Sequence, residues 1–292
     1  MAIPTQYRDR IQELKRQFEK LKPGKERLLK LLDEAEIVES VYNSNAIENS
    51  TLSLKETEKI LLSMEVGRSL DIREVYEAKN LARVMEYVRA KASTENISLK
   101  LILGLHQMLL SGIDETIAGR LRQANEYVRI SSHIAPAPEH IERLLDQALV
   151  DYNSDQQSFF SDKIARFHLE FERIHPFNDG NGRIGRVLIN YQLLRLNFPS
   201  VIIRNKTKSH YYAAFLDYQD DKDPKKMERI VALALIESLH KRITYLKSQK
   251  IVKVAEYAKQ AGQSVNVLLN AARRQTIPAF REKGTWMIGT DS

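Results

Sequence analysis

Apolar residues recur at intervals of three and four along nearly the whole chain, and that period commits it to helices. Ile11, Leu14, Phe18 and Leu21 share one face over 7–21, and Pro23-Gly24 then breaks the pattern. Leu28, Leu31, Leu32, Ala35 and Val38 carry a second helix from Lys25 toward Tyr42. Ser53, three residues before Glu56, is a capping-box signature for a helix over 53–65. Helices are expected next over 71–91 and 98–111, and the same spacing marks 139–153, 161–174, 207–219 and 224–248. The expected fold class is mainly α.

Two stretches depart from that period. Tyr127-Val128-Arg129-Ile130 reads as a short strand, and Ile134-Ala135-Pro136-Ala137-Pro138 as extended chain, because proline disfavours helix in the residue before it. A hairpin turning at Ser131-Ser132-His133 joins them. Near the C-terminus, helices over 254–261 and 265–274 flank a turn at Gly262-Gln263-Ser264. Two strands, 277–280 and 285–288, then flank a turn at Glu282-Lys283-Gly284.

Composition removes several chemistries. With no cysteine there is no disulfide, thiolate metal site or thiol nucleophile. No apolar run has signal-peptide or membrane-spanning length, so a soluble cytoplasmic protein without a membrane partner is expected. A net charge of +7 favours a polyanionic partner, either nucleotide phosphate or nucleic acid.

The stretch 175–186 concentrates unusual requirements. Pro176 ends the preceding helix and leaves His175 at a helix-to-loop junction. Gly180 and Gly182 bracket Asn181 and open into a helix, so backbone amides and the positive end of a helix dipole converge on an anion site. Arg183 and Arg186 are three apart on the first turn, within reach of one anion. Asp179 is a lone carboxylate among these cations, which suits a Mg²⁺ ligand beside phosphate. One base, one metal ligand, an amide cradle and two arginines are the parts that phosphoryl or nucleotidyl transfer needs. No Walker-type nucleotide loop occurs. His168 has no second ligand at i+4 and reads as a hydrogen-bonded core histidine.

HPFNDGNGRIGR resembles the Fic family signature, H-P-F-x-[DE]-G-N-G-R-x-x-R, and matches every specified position. The resemblance spans about 95–235. It implies a helical core with a β-hairpin flap that moves AMP from ATP to a Tyr, Thr or Ser hydroxyl of a target protein. Carried over, His175 is the general base, a role that suits imidazole at neutral pH. Asp179 holds Mg²⁺ against the α- and β-phosphates, Asn181 with the amide of Gly182 cradles the α-phosphate, and Arg183 and Arg186 grip the β- and γ-phosphates, with Gly180, Ile184 and Gly185 in the same nucleotide-binding stretch. Tyr211 and Tyr212 fall where the family has aromatics near adenine, and Gln219 falls where relatives often have Asn. Val128, Arg129, Ile130 and Ser131 correspond to the flap that pairs with the target as an added strand.

Ser44 to Asn49 resembles the family's inhibitory motif, [ST]-x-x-x-E-[GN], placed before the core. Ser44 and Glu48, four apart, share one helical face. The resemblance implies that Glu48 pairs with Arg186 and denies that arginine to the γ-phosphate. The tail resembles a winged helix-turn-helix of the excisionase type, with Arg273, Arg274, Arg281 and Lys283 as basic residues and Trp286 anchoring the wing. Such modules bind DNA or dock proteins. The expected layout is an N-terminal helical region (1–94) with the inhibitory helix, a catalytic core (95–248) and a winged helix (249–292). Two other functions fit the same fold: a Doc-like kinase, whose signature carries Ala and Lys where this chain has Gly180 and Gly182, and a nucleotide-sensing DNA-binding regulator. Self-modification and homodimerisation are further properties of the family.

Overall fold

The computed structural model describes residues 5–63, 71–130 and 133–290. Twelve helices carry the described chain: α1 Thr5–Leu21, α2 Glu26–Ile47, α3 Leu54–Leu62, α4 Ile72–Lys91, α5 Leu99–Leu110, α6 Ile141–Ser154, α7 Phe160–Ile174, α8 Asn181–Arg195, α9 Lys208–Asp221, α10 Lys225–Leu246, α11 Val254–Gln260 and α12 Val265–Arg273. Five strands complete it: β1 Arg129–Ile130, β2 His133–Ile134, β3 Lys250–Lys253, β4 Ala279–Glu282 and β5 Thr285–Thr290. Among the described residues no helix is long and apolar enough to cross a membrane.

The chain divides into two compact units, with the division falling inside α2 and α10. The first contains 37–198 and 202–230. Its core draws Leu81 and Val84 from α4, Ile102 and Leu105 from α5, Leu145 from α6, Phe167 and Phe171 from α7, and Ile184, Leu188 and Tyr191 from α8. Each such side chain contributes about 1.5–3 kcal/mol through burial. The capping box forms as the sequence predicts: Ser53 Oγ accepts from Glu56 N, and Glu56 returns to Ser53 N at 2.8 Å. The hairpin is shorter than the sequence suggests, because only Arg129↔Ile134 and Ile130↔His133 pair as strands. A further bond from Ala135 N to Val128 O, 3.0 Å, closes its base.

The second unit contains 3–36, 199–201 and 231–292. Arg242, 1% exposed, binds Asp33 and Glu36, while Lys241 reaches Glu36 at 3.0 Å. Burial pushes the Glu36 carboxyl up, but Arg242 and Lys241 outweigh it and hold the pKa at about 2. The tail sheet has three strands in the order β3-β5-β4, all antiparallel. The sequence reading expected two. Lys250–Lys253 is four residues between two helices, with its apolar pair adjacent rather than alternating, so it lacks the period-2 signal of a strand. Lys283 and Gly284 both take left-handed φ, 47° and 81°, which makes a hairpin turn whose twist matches its strands. Arg281 lies over Trp286 at 4.6 Å, and α11, α12 and the sheet enclose Val254, Ala258, Leu268, Ala272, Ala279 and Ile288.

Candidate active site

α7 stops because Pro176 cannot continue it, and His175 caps it in a left-handed conformation, φ 49° and ψ 64°. That region costs a non-glycine residue about 1–2 kcal/mol. Arg122 offsets the cost. Its guanidinium is buried and donates to His175 O at 2.8 Å and Ile174 O at 3.3 Å, and its own amide donates to Pro176 O at 2.9 Å.

The loop then turns on Asn181, whose side-chain amide bonds both ways to the Phe177 backbone, at 2.9 and 2.8 Å. Asn181 is thereby committed to shaping the loop and offers an anion its backbone amide. Gly180, φ 80°, begins α8, and a Cβ there would lie 3.0 Å from Leu109. His106 stacks on Phe177 at 3.7 Å, receives the Gly119 amide at Nδ1 and therefore donates from Nε2 to Asp179 O at 3.0 Å. Burial pushes its pKa down to about 4, so the ring is neutral.

Asp179 and Arg183 pair at 2.9 Å, with Arg73 on the other carboxylate oxygen and Glu77 on Arg183 at 3.0 Å. Burial raises the Asp179 pKa, but Arg183, the Gly180 amide and Arg73 together hold it below the ordinary carboxylate range.

Gly182 and Arg186 of α8 contribute to a cavity of about 270 Å³. It is lined by Glu48, Glu172, His175, Gly182 and Arg186 together with Tyr211, Tyr212, Phe215, Leu216 and Gln219. Charged and aromatic groups in one cavity suit a nucleotide's phosphates and base. Arg186 is almost fully buried. It donates to Ser44 Oγ at 3.0 Å and Ser44 O at 2.8 Å, and it pairs with Glu48 Oε1 at 2.8 Å. Glu48 also stands where a Cβ on Gly182 would be, 2.1 Å from that position. The helix carrying these residues ends at Ile47, so Glu48 belongs to the cap rather than to the helical face the sequence suggested. Asn49 takes φ 68°, and Ser50 N bonds Asn45 O at 3.1 Å, a Schellman-type stop. Tyr212 fixes this cap from α9 by donating to Ile47 O at 2.8 Å, and Lys208 reaches Asn49 Oδ1 at 3.1 Å.

Tyr211 is buried and bonds His168 Nε2 at 2.7 Å; burial pushes the His168 pKa down to about 3. Glu172 Oε2 lies 3.8 Å from His175 Nδ1. Burial and Glu48 push the Glu172 pKa up to about 8 against the pull of Arg186.

Of the predicted nucleotide-binding residues, Asp179, Gly180, Asn181, Arg183, Ile184 and Gly185 are not among those lining the cavity. His175, Gly182, Arg186, Glu48, Tyr211, Tyr212 and Gln219 meet at the cavity. Ile184 lies in the core, and Gly185 lets α8 approach α7, since a Cβ there would meet Glu172 at 2.6 Å and His168 at 2.7 Å. Val128 and Arg129 stand in the hairpin. Ile130 contributes its backbone to the pairing, and Ser131 lies outside the described residues. Arg122, His106, Arg73, Glu77 and Glu172 were not found from the sequence. Arg122 and His106 reach backbone carbonyls far along the chain, which no spacing rule connects, whereas helical spacing could have offered Arg73 with Glu77 and Glu172 with His175.

Residues 96–193 match the model of the Fic/DOC family. Over that stretch the chain carries a Fic/DOC-family domain. It is 32% identical over 208 residues to the protein adenylyltransferase Fic of Aedes aegypti, covering 70% of this chain and 41% of that one. The chain thus spans about half or less of the length of curated Fic relatives it matches. The Fic fold recurs in a Fic domain containing signaling protein from Bacteroides thetaiotaomicron, with TM-score 0.74 and 23% identity, covering 82% of this chain and 99% of that one. It recurs again in a Fic family protein from Desulfovibrio desulfuricans, with TM-score 0.70 and 20% identity, covering 100% and 98%.

Proposed function

We propose that this Fic protein transfers AMP from ATP to a Tyr, Thr or Ser hydroxyl of a target protein or of itself. The observation that carries the reading is the meeting of His175, Gly182 and Arg186 in one cavity with the aromatic side chains of Tyr211, Tyr212 and Phe215. Curated relatives named protein adenylyltransferase support it.

In this reading the target hydroxyl oxygen attacks the α-phosphorus of ATP. The new O–P bond forms as the bond to the β-phosphate oxygen breaks, pyrophosphate leaves, and His175 takes the hydroxyl proton. Amides at the start of α8, with the helix dipole behind them, hold the α-phosphate. Arg186 takes the γ-phosphate once Glu48 releases it. Arg183, with Asp179 and Glu77 as its present partners, serves the β-phosphate side. Tyr211, Tyr212 and Gln219 form the base end, and the hairpin at Val128 to Ser131 receives the target as an added strand.

The donor set at Asp179 fits Mg²⁺ brought with the nucleotide rather than a resident ion. It is one ionised carboxylate, and no group of three or more acidic or imidazole side chains gathers among the described residues. When bound, Mg²⁺ neutralises phosphate charge, and Asp179 would hold it after letting Arg73 go.

Intact-mass measurement after incubation with ATP and Mg²⁺ tests the proposal. Glu48→Gly protein should gain about 329 Da per AMP, a kinase would add about 80 Da, and a nucleotide sensor nothing. Glu48→Gly/His175→Ala should gain nothing.

A DNA partner for the tail is a second proposal. From Tyr257 through Arg281 the chain has no acidic residue, and α12 exposes Asn266, Asn270 and Arg273 on one face. A winged helix-turn-helix reading accommodates that face. Absence of salt-sensitive binding of the full chain to duplex DNA would refute it. A second copy of the chain and a cytoplasmic location complete the reading; light scattering and cell fractionation test them.

A further inference from the structure

Arg122 is a buried cation whose side chain meets no carboxylate among the described residues. The nearby Glu126 is taken bidentately by Arg120, at 2.7 and 2.8 Å. Arg122 spends its guanidinium on four backbone carbonyls instead: His175 O at 2.8 Å, Ile174 O at 3.3 Å, Glu126 O at 2.8 Å and Pro136 O at 2.9 Å. Its backbone amide adds Pro176 O at 2.9 Å. Burying a charge on neutral acceptors is costly, and burial does push the Arg122 pKa down, with Glu126 only partly opposing. Such an arrangement is kept where geometry demands it. Only a planar fork with five N–H donors can satisfy acceptors on three segments at once.

Those segments have distinct places. Ile174, His175 and Pro176 form the strained exit from α7. Glu126 precedes the hairpin and Pro136 follows it, so they are its two feet. We infer that Arg122 is a positioning residue that locks the hairpin to the backbone of His175, so that a target strand added to the hairpin presents its hydroxyl in register with the imidazole. The inference rests on the AMP-transfer reading for its catalytic consequence, but not for the coupling itself. A short two-residue pairing at β1–β2 has little stability of its own, and this anchorage supplies what the ladder lacks.

Native-state hydrogen exchange tests the coupling without mutation. The amides of Arg122 (to Pro176 O), Ala135 (to Val128 O) and His175 (to Phe171 O) should open as one unit across a denaturant series. If Ala135 opens at lower denaturant than the other two, the coupling is refuted. The catalytic consequence is tested with Glu48→Gly and Glu48→Gly/Arg122→Lys proteins in a lysate labelled with α-labelled ATP. A Lys ammonium cannot span the three segments. Protein labelling should fall at least tenfold, affinity for a fluorescent ATP analogue should stay within twofold, and the Ala135 amide should exchange at least tenfold faster. Labelling that falls only with the folded fraction, or a loosened hairpin with undiminished labelling, overturns the inference. If Glu48→Gly itself labels nothing, the AMP-transfer reading fails, and the exchange experiment still decides the coupling.

Discussion

Glu48 meets Arg186 at 2.8 Å from a position just beyond the end of its helix, with the Ser44 hydroxyl and carbonyl holding the same guanidinium. Arg186 is thereby occupied by the last turn of α2 and its cap, and the Glu48 carboxylate lies over Gly182, 2.1 Å from where a Cβ there would stand.

Glu48→Gly should raise protein labelling by about 10²–10³, the range of one well-placed cation in a dry site. Ser44→Ala keeps the ion pair and should give a smaller gain. Rates with α-labelled ATP check both; a Glu48→Gly rate no higher than the parent's sinks the switch.

Gly182→Ala tests the amide cradle. Its methyl would meet only the flexible ends of Glu48 and Arg186, at 2.1 and 3.0 Å, so the fold should survive. Nucleotide affinity in the Glu48→Gly background should drop about tenfold or more, because the methyl occupies the anion's place. Calorimetric titration with a non-hydrolysable ATP analogue reads this.

Gly185→Ala should act on stability instead. Its methyl would stand 2.6 to 2.8 Å from Glu172 and His168 on a packed helix pair. A loss of about 1–3 kcal/mol is expected in chemical denaturation.

Glu172 predicts a pH dependence. Its folded pKa is raised to about 8 from the ordinary 4.5, so the folded state binds the proton more tightly than the unfolded chain. Its contribution is fully present below pH 4.5 and is lost as pH rises through 8. Glu172→Gln should therefore gain on the parent by about 1–3 kcal/mol between these limits. Urea midpoints from pH 5 to 9 measure it; parallel curves would refute it.

His106 predicts the opposite slope. Its folded pKa is lowered to about 4 from 6.5, so its stabilisation holds above pH 6.5 and drains away as pH falls toward 4. His106→Gln should be less stable at pH 7, since it loses the stacking on Phe177, and the gap should narrow by pH 4.5.

Most of the helical framework was legible because burial writes a period into the sequence, and α4, α5 and α7 end within a residue of their expected bounds. The loop from His175 to Arg186 was legible for a different reason: two glycines, a proline and a histidine leave few conformations open. What stayed hidden is what depends on distant backbone. Arg122 reaches across 53 residues to a carbonyl, and His106 across 73, and a carbonyl leaves no mark on residue type. The strand β3 escaped because its pairing partner lies at the far end of the tail. Glu48 was placed on a helix because four-residue spacing says so, whereas Asn49 in its left-handed turn shows the coil had already stopped.

That stop has a mechanical consequence for the proposed function. A brake mounted on the fringe of a helix, rather than in its body, would lift by fraying a single turn while the rods upstream keep their shape. Tyr212 and Lys208 grip that fringe from α9, which also lines the cavity. In the proposed function, an occupant of that wall would therefore pull on the very turn that carries Glu48.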